Sequence, residues 1–355
     1  AYPTVVRNEA NLYHAPILTN EFLMAFILAQ KWVGFTIKAT VTVGLIWVVL
    51  GNQDLDRLAE RLSGMTVWSV FLAAVLLIVQ NVLASVRWFI VMHLFGRALP
   101  YPMALRFYFE GLLFNQALPS TIGGDGVRMY RAVKAGLSVA SGVNGVLLDR
   151  ILGLLALLVL VAVTQPWLYD RVDETAARLT FAAVIVAGVV GVTILLFCNR
   201  LPAVLMKSKL MRGLAGLSTG LNDLILQLRL GLPVFGLSIF GHFLMVAASF
   251  VLAQGLGLSV TFVDCLVLVP GVMLLAAAPI SIAGWGVREA VMVAAMSLLG
   301  VPDDGSTSLS LVFGALIAGI GLVGGILWLA NPDRRVSDFE TIGEDDTEQN
   351  KARAN

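Results

Sequence analysis

PSTIGGDGVR, residues 119–128, cuts through an apolar stretch, and 160 residues later PISIAGWGVR, residues 279–288, cuts through another. Pro119 and Pro279, Ile122 and Ile282, Gly124 and Gly284, Gly126 and Gly286, Val127 and Val287, and Arg128 and Arg288 coincide, six matches in ten positions. Proline removes a backbone donor and glycine admits dihedrals closed to other residues, so each stretch is expected to interrupt a helix. Glycine-rich apolar sequence matches itself by chance, but proline and arginine are too scarce here for that. The two breaks read as a duplication.

The surrounding sequence says what kind of chain has been duplicated. Of 355 residues, 58% are hydrophobic and 13% charged, with a mean hydropathy of +0.86. A soluble domain carries about a quarter charged residues, so this chain cannot cover a water-facing surface. High hydrophobicity also excludes a disordered chain, and a net charge of +1 gives no basic footprint for nucleic acid. The chain reads as an all-α polytopic membrane protein.

A helix needs about 20 mostly apolar residues to cross the hydrocarbon core. Runs near 32–50, 65–95, 142–164, 180–198, 233–256 and 308–330 meet that need, giving six full spans. Stretches 102–141 and 262–300 contain the breaks and read as re-entrant or broken-helix hairpins. The halves are then 32–164, with hairpin 102–141, and 180–330, with hairpin 262–300. Residues 165–179 form an outer loop between them. Three spans per half, an odd number, make the two repeats inverted.

Basic residues favour the cytoplasmic side. Arg200, Lys207, Lys209, Arg212 and Arg229 place 199–230 inside, as do Arg87 and Arg97 for the link 87–101, and Arg128, Arg131 and Lys134 after the first break. Asp170, Asp173 and Glu174 place 165–179 outside. Both termini then lie in the cytoplasm. Residues 1–31 form an N-terminal segment in which 22–29 read as an interfacial helix, and 331–355 form a disordered acidic tail. Trp32, Trp68, Trp88 and Trp167 read as interfacial belt residues.

Inverted repeats with discontinuous helices are a transporter architecture, because irregular backbone survives in a bilayer only when buried in protein or lining a wet cavity. Ionisable side chains cost roughly 2.5–3.5 kcal/mol each at the bilayer centre, and here they gather near the breaks. Asp125 and Arg128 share a helix face, Arg288 and Glu289 stand at the corresponding place, Asp149 and Arg150 open a span, and Arg106 and Glu110 are four apart. Arginine forks and glycine-rich backbone at a helix start both suit phosphate. Arg128 and Arg288 are expected to hold an anionic headgroup, with Asp125, Glu289, Asp149 and Arg150 setting charge and geometry. Gly123, Gly124, Gly284 and Gly286 permit close approach, and Asn115 and Trp285 complete the binding set. Arg106, Glu110, Arg131 and His242 are accessory. Taken singly, each pair is equally an internal ion pair that fixes hairpin geometry. His242 is expected to make an interhelical hydrogen bond rather than relay protons, and Asp264 to be exposed at the outer interface.

No enzyme signature accompanies these charges. His14, His93 and His242 lie in separate segments and give no metal motif, no Gly-x-Ser-x-Gly elbow occurs, and no nucleotide-binding glycine loop follows a strand. Cys198 and Cys265 imply neither a disulfide framework nor a cluster. No cofactor is expected.

Asn115-x-x-Leu118-Pro119-x-x-Ile122-Gly123-Gly124-Asp125-x-x-Arg128, with Gly136-Leu137-Ser138 and Leu147-Leu148-Asp149-Arg150 after it, resembles the flippase-like transmembrane family. That family includes the membrane half of lysylphosphatidylglycerol synthase, also called multiple peptide resistance factor. Pro279-x-Ser281-Ile282-x-Gly284-x-Gly286-Val287-Arg288-Glu289, ending at Leu299-Gly300-Val301, resembles its second signature. The similarity covers roughly residues 30 to 330. It implies a bacterial or archaeal inner-membrane protein that moves lipids between leaflets, such as aminoacylated phosphatidylglycerol, glycolipids, hopanoids or polyprenyl-linked carriers. The soluble aminoacyl-transferase domain of the full synthase has no counterpart in the polar tail, so no lysyl-lipid synthesis is expected. The expected partner is a membrane lipid with an anionic headgroup, and a lipid-synthesising enzyme is a further candidate. The rival readings are an accessory scaffold presenting lipid to such a synthase, an enzyme acting on a lipid phosphate, and a small-solute transporter.

Overall fold

The computed structural model describes residues 36–51, 53–95, 99–118, 123–202, 208–278 and 280–330. The expected interfacial helix at 22–29, Trp32, the tail 331–355, Pro119 and Pro279 lie outside the described residues. Thirteen α-helices and no strand occur among those described. They are α1 (Thr36–Gly51), α2 (Leu55–Ser63), α3 (Val67–His93), α4 (Tyr101–Ala117), α5 (Gly123–Lys134), α6 (Val139–Val163) and α7 (Gln165–Arg171), then α8 (Thr175–Phe197), α9 (Lys209–Leu226), α10 (Leu228–Gly255), α11 (Phe262–Ala276), α12 (Val287–Ser297) and α13 (Asp303–Leu329).

Five of these are long and apolar enough to cross a membrane: α3, α6, α8 with its 3₁₀ extension to Arg200, α10 and α13, with 25 to 28 residues each. At 1.5 Å per residue the shortest reaches about 37 Å, beyond the hydrocarbon thickness of about 30 Å. The sixth expected span is shorter: α1 is described from Thr36 to Gly51 only, and 32–35 fall outside the described residues. α8 has no buried residue, and Val186, Val189, Val190 and Ile194 on it are exposed. An apolar helix left bare in this way suits a hydrocarbon solvent, not water.

Both breaks form hairpins of short helices. In the first, Asn115 near the end of α4 accepts from the Gly124 amide at 2.9 Å, tying the arms where α5 has orphan amides. A Cβ on Gly124 would stand 1.9 Å from the Gly111 carbonyl oxygen, so the arms touch backbone to backbone. In the second, Ala283, Gly284 and Gly286 take φ of 51°, 79° and 83°, which glycine tolerates and other residues rarely do. The Gly286 amide donates to Glu289 at 2.6 Å, and the Ile282 amide to Thr42 of α1 at 2.9 Å.

Helix order repeats across the halves: α1, α3, α4–α5, α6, then α8, α10, α11–α12, α13. Contacts between the halves come in exchanged pairs, with α3 against α10, α4 on α13, and α11 on α6. The α4–α13 seam is close because a Cβ on Gly324 would lie 1.8 Å from the Phe109 carbonyl oxygen. Small residues let membrane helices approach in this way.

Two places are more ordered than their sequence suggests. Residues 209–226, read only as a basic cytoplasmic stretch, form α9, which packs on α6, α8 and α10 and buries Leu217, Leu221 and Leu224. Asp264, expected at an exposed interface, is 6% exposed. It accepts from the Thr261 amide at 2.8 Å as part of a capping box and pairs with Arg171 of α7.

Candidate functional site

The first hairpin brings its charges against α3 and α6. Arg128 Nη2 lies 2.5 Å from Asp125 Oδ1, and its Nη1 lies 3.1 Å from Asp149 Oδ2. Asp149 Oδ1 accepts from Arg87 Nε at 2.7 Å, and Arg87 Nη1 donates to Ser238 of α10 at 3.1 Å. Asp125 Oδ2 in turn pairs with Arg150. The result is one chain of alternating charge, Arg87–Asp149–Arg128–Asp125–Arg150. Its three inner members and two ends come from α3, α5 and α6, and Ser238 anchors it to α10.

Burial dictates this order. Asp125 and Asp149 are 1% and 2% exposed, so each needs counter-charge to offset a desolvation cost of several kcal/mol per ion. Each carboxylate divides its two oxygens between two arginines. Arg128 is further held between aromatic faces, with its guanidinium carbon 5.2 Å from the Trp88 ring centroid and 4.9 Å from that of Tyr108. The Arg150 side chain remains 34% exposed.

A cavity of about 250 Å³ opens along this chain. Arg87, Arg128, Arg150, Asp125 and Asp149 line it, with Gln80, Asn115 and Tyr108 as polar neighbours. His242 lines it too, and its Nε2 meets the Gly153 carbonyl oxygen at 2.9 Å, the interhelical bond expected of it. Leu154 belongs both to this cavity and to an apolar groove of about 440 Å³ between α6, α8 and α11. A phosphate would meet arginine forks in the cavity, and a hydrocarbon chain would meet only apolar walls in the groove.

Nearer the base of the hairpin a second cluster forms. Glu110, 0% exposed, lies 3.0 Å from Arg106 Nε through Oε1 and 2.9 Å from Arg131 Nε through Oε2. Over the two clusters, five arginines pair with three carboxylates.

The second hairpin is chemically different. Arg288 Nη2 lies 2.6 Å from Glu289 Oε1, Ser310 Oγ donates to the same oxygen at 3.1 Å, and the Trp285 ring lies 4.8 Å from the guanidinium carbon. A Cβ on Gly314 would stand 2.0 Å from Arg288 Nη2, so α13 closes over the group. Arg288, Glu289, Trp285, Gly284 and Gly286 do not line the 250 Å³ cavity. Among the described residues no trio of His, Cys, Asp or Glu is placed to hold a metal ion.

Several readings of the sequence change accordingly. Asp125–Arg128 and Arg106–Glu110 pair as their spacing suggests, but Asp149 and Arg150, adjacent in sequence, reach different partners. Arg87 is no flanking charge of a link: it is 8% exposed within α3 and completes the site. Its position inside the run 65–95 does not by itself separate a charge that turns inward from one that snorkels. Trp88 is no belt residue either, being 0% exposed beneath Arg128, whereas Trp68 and Trp167 are exposed as belt residues are.

Residues 35–328 match the family described as the lysylphosphatidylglycerol synthase TM region. No curated protein matches the chain in sequence. With five membrane-spanning helices and a family match over most of its length, this multi-pass protein, related to lipid modification or transport, belongs to the lysylphosphatidylglycerol synthase TM region family.

Proposed function

We propose that this chain moves a lipid with an anionic phosphate headgroup between the leaflets of an inner membrane. The observation that carries this reading is the arginine-rich cavity. Three arginines and two carboxylates surround about 250 Å³ of space within helices that cross the bilayer. Charge so placed is rare in membrane helices and commonly marks the pathway of a polar substrate. The headgroup phosphate bridges Arg128 and Arg150, Asp125 and Asp149 hold those forks apart, and the tails stay against the apolar groove beside Leu154. On this reading the two sets of helices are inverted repeats with both termini in the cytoplasm, and their exchanged contacts support it. Arg288 and Glu289 brace the second hairpin.

The test is leaflet exchange of labelled anionic lipid in liposomes. Wild type should exchange, Arg150→Ala should lose most activity while staying folded, and Arg288→Ala should lose activity only as far as it loses stability. A folded wild type that binds anionic lipid without exchanging it would replace transport with the lipid-presenting scaffold. A chemically altered headgroup would point to an enzyme.

A further inference from the structure

The 250 Å³ cavity has an uncharged side that the chain of ion pairs leaves alone. Gln80 of α3, with Tyr108 and Asn115 of α4, lines it. The Tyr108 ring lies 4.9 Å from the Arg128 guanidinium carbon. Asn115 Oδ1 accepts from the Gly124 amide at 2.9 Å, one residue before Asp125. Both side chains therefore stand next to the charged residues. Gln80 precedes Arg87 by two turns of α3, about 10 Å along the axis at 1.5 Å per residue. Among the described residues, the Gln80 amide, the Tyr108 hydroxyl and the Asn115 amide nitrogen have no hydrogen-bond partner, and none of the three is sealed within the packing.

The carboxylates restrict what can sit against these groups. Asp149 gives one oxygen to Arg87 and the other to Arg128, and Asp125 gives one to Arg128 and the other to Arg150. A headgroup ammonium would have to displace a guanidinium to find an anionic partner. A hydroxyl needs no counter-charge. It donates to an amide or phenol oxygen and accepts from an amide N–H or a phenol O–H. A site with uncharged hydrogen-bonding groups discriminates against an isostere that leaves them bare.

We infer that the headgroup taken by this cavity is a phosphodiester that carries hydroxyls and no ammonium, a polyol or sugar phosphate, whose hydroxyls bind Gln80, Tyr108 and Asn115. This deepens the transport reading and rests on it for the lipid to which the phosphate is attached.

The full-length protein in detergent would be titrated with three lipids and followed by native mass spectrometry. Phosphatidylglycerol carries hydroxyls, phosphatidylmethanol has the same charge and none, and lysylphosphatidylglycerol adds ammonium groups. Wild type should bind phosphatidylglycerol at least about tenfold more tightly than phosphatidylmethanol, the effect of one to two uncharged hydrogen bonds, and the lysyl ester more weakly than phosphatidylglycerol. Tyr108→Phe, which keeps the ring against Arg128, and Gln80→Leu should each weaken phosphatidylglycerol binding about fivefold. Equal affinity for phosphatidylglycerol and phosphatidylmethanol in wild type would overturn the assignment. So would tighter binding of the lysyl ester, or full preference retained in both variants. Free glycerol phosphate that binds as tightly as phosphatidylglycerol would keep the chemical class and remove the lipid from it. In liposomes, exchange of both anionic lipids at equal affinity would leave transport standing without hydroxyl selection. Selective binding with no exchange would do the reverse.

Discussion

Asp149 receives Arg87 on one oxygen and Arg128 on the other, so a single carboxylate neutralises groups from two helices. Asp149→Asn keeps the shape and removes the charge. It leaves two buried guanidiniums short of a partner, and removing one member of such a pair costs about 3–5 kcal/mol. Thermal unfolding in detergent should show a large drop for Asp149→Asn and a small one for Arg150→Ala, whose side chain is 34% exposed. Asp125, Arg128, Arg106 and Glu110 were legible in the sequence because helical spacing of three and four puts opposite charges side by side. Arg87 was not, since a charge near the end of an apolar run looks the same whether it snorkels outward or turns inward. What decides is the carboxylate on α6, 62 positions away along the chain.

At the scale of the element, the first hairpin depends on two glycines facing each other. Gly124→Ala would drive a methyl group into the Gly111 carbonyl, and the arms would have to part, whereas Gly126 has nothing within 4 Å of a Cβ. Circular-dichroism melts should show Gly124→Ala strongly destabilised and Gly126→Ala close to wild type, with lipid exchange following the same order. Both breaks were readable from their proline and glycine content. Their different chemistry was not. At the position matching Asp125 the second hairpin has Trp285, so its arginine turns to the neighbouring Glu289 and to Ser310 instead. The motif match preserves neither the charge nor the backbone, since Gly124 and Gly126 lie within α5 whereas Gly284 and Gly286 take positive φ before α12 begins.

Over the whole molecule, composition was enough to expect an all-helical membrane chain, which the structure shows, and the 160-residue offset led to the expectation of two similar halves. Arg128 and Arg288 were expected to hold one headgroup together; in the structure α5 lies on α4 and α6, α12 lies on α11 and α13, and Arg288 does not line the 250 Å³ cavity. Long-range pairing of this kind leaves no trace in local spacing. The chain from Arg87 to Arg150 also has arginine at both ends, so it carries one more positive charge than negative. On the transport reading proposed above, a singly charged headgroup seated there offsets that charge, and the empty chain of charges keeps it. On that same reading, membrane voltage, worth about 2.3 kcal/mol per elementary charge per 100 mV, acts on the empty protein's return and not on the loaded passage. Lipid exchange measured in potassium-gradient liposomes clamped with valinomycin should change with voltage when the return step limits turnover, and Asp125→Asn, which adds one positive charge to both states, should make the loaded step voltage-sensitive as well.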